Sequence, residues 1–95
     1  MIVAIVDHSL LDILCDKLRK EGICFTCWDV KGVGKEVHVT CGDAFVRLKI
    51  EIIVDERDVE RVKKIIMEGV PRGIPGAGII AVHKIDEFID LSETK

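Results

Sequence analysis

Val46-Arg-Leu-Lys-Ile-Glu-Ile-Ile-Val54 decides the fold of this chain. Val46, Leu48, Ile50, Ile52 and Val54 recur at every second position, and Arg47, Lys49 and Glu51 take the alternate ones. Successive side chains of a strand leave opposite faces, so this run is a strand with one apolar and one charged face. Its apolar side needs a covering layer, and amphipathic helices precede and follow it.

Upstream, Met1-Ile-Val-Ala-Ile-Val6 is rich in β-branched residues and reads as a first strand. Ser9-Leu-Leu-Asp12 reads as a helix start, with Ser9 as N-cap and Asp12 answering in a capping-box variant. Leu10, Leu11, Ile13, Leu14 and Leu18 supply the apolar stripe, and Lys17, Arg19 and Lys20 suit the helix C-terminus. Gly22 stands where a left-handed stop is expected. Ile23 to about Val33 is the second strand, carrying Phe25, Trp28 and Val30. Gly32, Gly34 and Gly42 then bracket a hairpin connection.

Downstream, Asp55 opens a second helix with Val59, Val62, Ile65 and Ile66 inward and Glu60 and Lys64 as an i,i+4 pair. Gly69, Pro71 and Gly73 end it, residues 73–78 form a Gly-rich loop, and Ile79–Val82 is a fourth strand. Glu87–Leu91 is expected to add a short fifth strand before a frayed tail at 92–95. The order β-α-β-β-α-β implies a single α+β domain over residues 1–95, a ferredoxin-like sandwich with both helices on one face of an antiparallel sheet. Any apolar groups on the other face call for cover, most simply by partner subunits.

Composition narrows the function. At 95 residues the chain builds one modest core, and 48% hydrophobic with 33% charged residues is the make-up of a folded globular domain. A net charge of −3 without a basic block argues against nucleic-acid binding. No apolar run reaches bilayer length, and the first residues read as a strand, not a signal peptide. The expectation is a cytoplasmic protein with no direct membrane insertion. The sequence has no Asn, Gln or Tyr, which points to a thermophilic source. Nothing resembles a nucleophile elbow, a Walker loop or HExxH, so no catalytic residue is assigned and the chain is read as a non-enzyme.

The cysteines and histidines leave alternatives. His38 and Cys41 could ligate a transition metal, with a further ligand from a symmetry mate, or belong to a polar loop. Cys24 and Cys27, three apart on a strand, point to opposite faces and read as packing thiols. Cys15 reads as a small core residue on the first helix. Asp7 and His8 either contact a ligand or lead into the helix.

In this order the chain resembles the PII nitrogen-regulatory family along nearly its whole length. Leu18-Arg-Lys-Glu-Gly22-Ile23 resembles the end of the family's first helix, and Val30-Lys-Gly-Val-Gly34 its V-K-G-x-G at the base of the T-loop. Arg47 and Leu48-Lys-Ile-Glu-Ile52 match the returning K-x-K-I-E-I strand, and Gly73-Ile-Pro-Gly-Ala-Gly-Ile-Ile-Ala-Val82 is similar to the B-loop and the strand after it. The resemblance implies a homotrimer with nucleotide clefts between subunits and a regulated partner protein, an enzyme or transporter. It places a short T-loop at about 34–43 and a B-loop at about 71–78. The implied ligand-binding residues are Gly32, Gly34, Lys35, Glu36, Arg47, Lys49, Gly73, Gly76 and Gly78, with ATP, ADP or AMP as candidate effectors. The bland reading of the same residues is turn glycines and a solvated hairpin face.

Departures from the pattern fall on the ligand chemistry. Ala77 replaces the usual B-loop Asp and Ile79 the Lys, Asp90 and Ser92 fall at a basic pair, and Glu36 falls at a glutamine. A carboxylate beside a triphosphate is repulsive. Without Tyr, control by tyrosine uridylylation is excluded. Two rivals to an effector-binding regulator therefore stand: a metal- or redox-responsive trimer using His38 and Cys41, and an interaction module with no small ligand.

Overall fold

The computed structural model describes residues 1–32, 45–71, 73 and 77–93. Four strands and two α-helices follow in the order β1 (Ile2–Asp7), α1 (Leu11–Lys20), β2 (Thr26–Gly32), β3 (Phe45–Ile52), α2 (Val59–Gly69) and β4 (Gly78–Val82). A single 3-10 turn leads into each helix, His8–Leu10 before α1 and Glu56–Asp58 before α2. The strands lie in the order β2-β3-β1-β4, every neighbouring pair antiparallel. This is the α+β, ferredoxin-like arrangement expected from the sequence.

The period-two pattern of β3 divides the sheet. Leu48, Ile50 and Ile52 are fully buried and pair with Val6, Ala4 and Ile2 of β1, which face the same way. Leu14 and Leu18 of α1 and Val62 and Ile66 of α2 close the core from above. Helix meets helix at Gly69, where an added Cβ would stand 2.6 Å from Leu14 Cδ2; the close approach depends on the missing side chain.

Chain ends and caps account for the element boundaries. Gly22, at φ 71°, terminates α1. Its N–H donates to the Arg19 carbonyl and that of Ile23 to the Leu18 carbonyl, the paired bonds of a Schellman stop. The buried Ile23 then joins the core beside Leu18. At the first residue, the Met1 carbonyl accepts from His83 N–H at 2.7 Å, prolonging the β1–β4 ladder.

Three expectations are corrected. The cap before α1 is Asp7, not Ser9: the Asp7 carboxylate accepts from the Ser9 N–H at 2.8 Å. A 3-10 turn precedes α1, so the first free N–H groups arise two residues earlier than a helix starting at Leu10 would put them. Asp55 caps the second turn in the same way, accepting from Arg57 N–H. On α2, Glu60 bonds Lys63 at i+3, not Lys64 at i+4. Glu87–Leu91 forms no strand. Phe88, Ile89 and Leu91 are 65%, 67% and 93% exposed, so the segment has the composition of a strand but, among the described residues, no strand pairs with it.

Gly78 begins β4 at φ 133°, a conformation open essentially to glycine alone. An added Cβ would strike the Ile5 carbonyl oxygen and the Val6 side chain across the ladder. Gly78→Ala should therefore destabilise the fold by about 2 kcal/mol or more, combining backbone strain with overpacking. Chemical denaturation against the parent checks this, and an unchanged midpoint would refute it.

The Ser9 hydroxyl and then its backbone N–H hold the Asp7 carboxyl below its ordinary range. The stability from a lowered carboxyl pKa is present above the unfolded-state value and is lost as pH falls through the folded-state value. Asp7→Ala should cost about 0.5–1 kcal/mol near neutrality, the lower part of the range for helix caps because the site is exposed. The difference between the two proteins should close on acidification, which denaturation series at several pH values would reveal.

Candidate functional site

Antiparallel pairing brings one end of every strand to the same end of the sheet. Asp7 at the end of β1 stands opposite Arg47 near the start of β3, and Arg47 opposite Val30 near the end of β2. Val6 pairs with Gly78 at the start of β4. Both Gly-bearing connections singled out in the sequence therefore meet the sheet at this end: the one after Gly32 and the one before Gly78.

The face of the sheet away from the helices carries cross-strand rows. Trp28, Lys49, Ile5 and Ile79 form one, running β2-β3-β1-β4. Thr26, Glu51, Val3 and Ala81 form the next, and Val30, Arg47 and Asp7 the row nearest the loop end. Neighbouring strands are about 4.8 Å apart, so β2 and β4 stand about 14 Å from each other across the face. Trp28 is 39% and Ile79 62% exposed, leaving an apolar surface interleaved with charge.

The charges are engaged with their surroundings. Lys49 Nζ lies 3.4 Å from Glu51 Oε2 and 5.1 Å from the centre of the Trp28 ring. An ion pair and a cation–π contact of this kind are each worth about 1 kcal/mol or less near the surface. They hold the ammonium over the sheet without neutralising it strongly. Arg47 is buried to 9% exposure, and its positive charge contributes to lowering the Asp7 pKa after the Ser9 hydrogen bonds. Asp7 caps its turn and His8 Nε2 lies 2.9 Å from Asp29 Oδ1, so the pair tie β1 to the 3-10 turn and to β2.

Of the residues expected to bind a ligand, Gly32, Arg47 and Gly78 lie at this end of the sheet, with Gly32 and Gly78 on its opposite edge strands; Lys49 is one row further in, and Gly73 precedes β4 at φ 81°. Gly34, Lys35, Glu36 and Gly76 lie outside the described residues. Gly32 has open space where a Cβ would be, and its φ is not in the left-handed range. Gly78 is a glycine that packing alone demands. Trp28 and Glu51 were not singled out as site residues, although the alternation of β2 against β3 could have put them beside Lys49.

His38 and Cys41 also lie outside the described residues. Among the described residues, no three His, Cys, Asp or Glu side chains are grouped so as to hold a metal ion. Asp90 and Ser92, at the positions where the resemblance places a basic pair, bond each other: Asp90 Oδ1 accepts from the Ser92 hydroxyl at 2.6 Å and its N–H at 2.9 Å. Those bonds, hydroxyl first, lower the Asp90 pKa and keep a carboxylate at this position. No helix among the described residues is long and apolar enough to cross a membrane.

Comparison with known proteins agrees with the geometry. The family model for "Nitrogen regulatory protein P-II" matches residues 1–95. Nitrogen regulatory protein P-II 1 of Methanothermobacter thermautotrophicus is 31% identical over 97 aligned positions, covering 93% of this chain and 84% of the relative. With an α+β sheet and two helices consistent with it, the chain belongs to the nitrogen regulatory P-II family.

Proposed function

We propose that this protein is a homotrimeric regulator that takes a small anionic effector between subunits and thereby alters its contact with a partner protein. The observation that carries the reading is that the connection after Gly32 and the connection before Gly78 are attached at the same end of a sheet bearing Arg47 and Lys49. An effector held there touches the base of both connections at once, which is the differential contact a loop rearrangement requires. An adenine nucleotide is the candidate effector. Gly73 and Gly76 would let backbone N–H groups approach its phosphates, with Lys35 and Lys49 supplying charge. The partner is a protein, an enzyme or a transporter. The role is regulatory, not catalytic, and the proposed compartment is the cytoplasm.

Ala77, Ile79 and the Asp90–Ser92 pair weaken the phosphate site and favour a second reading, a trimeric interaction module without a small ligand. The metal- or redox-responsive alternative through His38 and Cys41 is tested separately by metal analysis of the purified protein and of Cys41→Ser.

Isothermal titration with ATP, ADP and AMP, each with and without Mg²⁺ and 2-oxoglutarate, separates the first two readings. Binding at about micromolar Kd is expected for at least one nucleotide, and Lys49→Ala should weaken it about tenfold, the loss of one charge-assisted hydrogen bond of roughly 1.5 kcal/mol. Absence of heat with every ligand would overturn the effector reading in favour of the interaction module. Light scattering on the same samples should give the mass of a trimer.

A further inference from the structure

Trp28 is the one tryptophan of the chain. It sits on β2, at one edge of the sheet, and shares the face away from the helices with Thr26 and Val30. Cys27, between Thr26 and Trp28, packs against the core on the other face. The cross-strand neighbour Lys49 of β3 flanks the indole on one side, with Nζ 5.1 Å from the ring centre. On the other side β2 has no neighbouring strand among the described residues. The residue is 39% exposed, a large area of uncovered indole for a side chain that is ordinarily well buried. Phe25, by contrast, packs against the core.

Indole and ammonium side by side select a ligand chemistry. The indole offers a broad flat surface on which another planar ring gains apolar contact. The ammonium favours an anion. Its ion pair with Glu51 at 3.4 Å limits its motion and tempers its charge, so the ring adds selectivity that the charge alone does not supply. Trp28 stands four residues before Gly32, where the first loop connection leaves the sheet. At about 3.3 Å per residue the two are roughly 13 Å apart along the strand. A ligand ring on Trp28 can therefore extend a phosphate chain past Lys49 toward that connection.

We propose that Trp28 is the platform on which the purine ring of a nucleotide effector stacks, with Lys49 beside it meeting the phosphates. The inference rests on the effector reading above and adds the residue that tells a nucleotide from phosphate alone. Stacking tolerates any base because every base has a π-face, so the platform registers that a base is present and leaves the choice among bases to hydrogen bonds. A base held on Trp28 is held on the strand that carries the first connection. Binding and the position of that connection then share one element.

The test exploits the single tryptophan, whose fluorescence reports on this position and no other. ATP titrated into the full chain should change the emission and reduce its quenching by acrylamide. Tripolyphosphate, which carries the charge without the base, should do neither. By isothermal titration Trp28→Ala should bind ATP about tenfold more weakly, within the range for loss of one base–aromatic stack, and Trp28→Phe should retain most of the affinity. The fluorescence measurement needs no substitution, so it decides the matter even where Trp28→Ala disturbs the fold. ATP heat with unchanged emission, and equal affinity in Trp28→Ala, would overturn the platform and leave the effector reading standing. Emission already shielded from acrylamide before ligand is added would also overturn it, because another subunit then covers Trp28. Absence of ATP heat in the parent would overturn both.

Discussion

The burial of one face of β3 is the constraint on which the rest of the molecule depends. This strand lies inside the sheet, between β2 and β1, and Leu48, Ile50 and Ile52 are sealed beneath both helices. A slip of one residue against either neighbour would exchange them for Arg47, Lys49 and Glu51. Burying those charges without partners costs several kcal/mol each, far more than a weaker ladder would. The register is therefore fixed by the core, and the core in turn dictates which residues meet on the open face. Trp28 and Ile5 flank Lys49 because Cys27, Ala4 and Ile50 face the helices.

Most of this logic was legible in the sequence because it is periodic. Alternation along residues 46–54 located β3 and sorted Leu48, Ile50 and Ile52 into the core, though at the loop end Val46 is exposed and Arg47 buried; the inner residues of α2, Val62, Ile65 and Ile66, recur at helical spacing in the core. Gly22 was readable as a stop because few residues other than glycine take the left-handed conformation. Local competition was less legible. Ser9 and Asp7 are both good caps, and the choice between them turned on whether a 3-10 turn preceded the helix, which a sequence pattern does not encode. Glu87–Leu91 has strand composition, but a strand also needs an edge to pair with. Composition cannot supply one.

The candidate site was legible in a different way, through order and spacing of short motifs. These placed Arg47, Lys49 and the glycines along the chain, and antiparallel pairing then carried Gly32, Arg47 and Gly78 to one end of the sheet. What sequence alone did not reveal were contacts between distant residues of unremarkable type. Lys49 shares its position with Glu51 and Trp28, and Asp90 is held by Ser92.

Gly78 shows how the scaffold and its chemistry separate. A glycine in a loop that can approach phosphate invites a functional explanation, yet the Ile5 carbonyl and the Val6 side chain leave no room for a Cβ there. The demand for glycine comes from the β1–β4 ladder and would persist if every ligand were lost. Ala77 and Ile79 on either side face no such demand: both are partly or largely exposed, and their side chains are free to follow the ligand chemistry. The same division runs through β3, where Leu48 and Ile50 belong to the core and Lys49 between them does not. Matches to the family at ladder and core positions therefore testify to the fold. The charge of the exposed positions, with an apolar Ile79 and a carboxylate at Asp90, bears on what the site can hold.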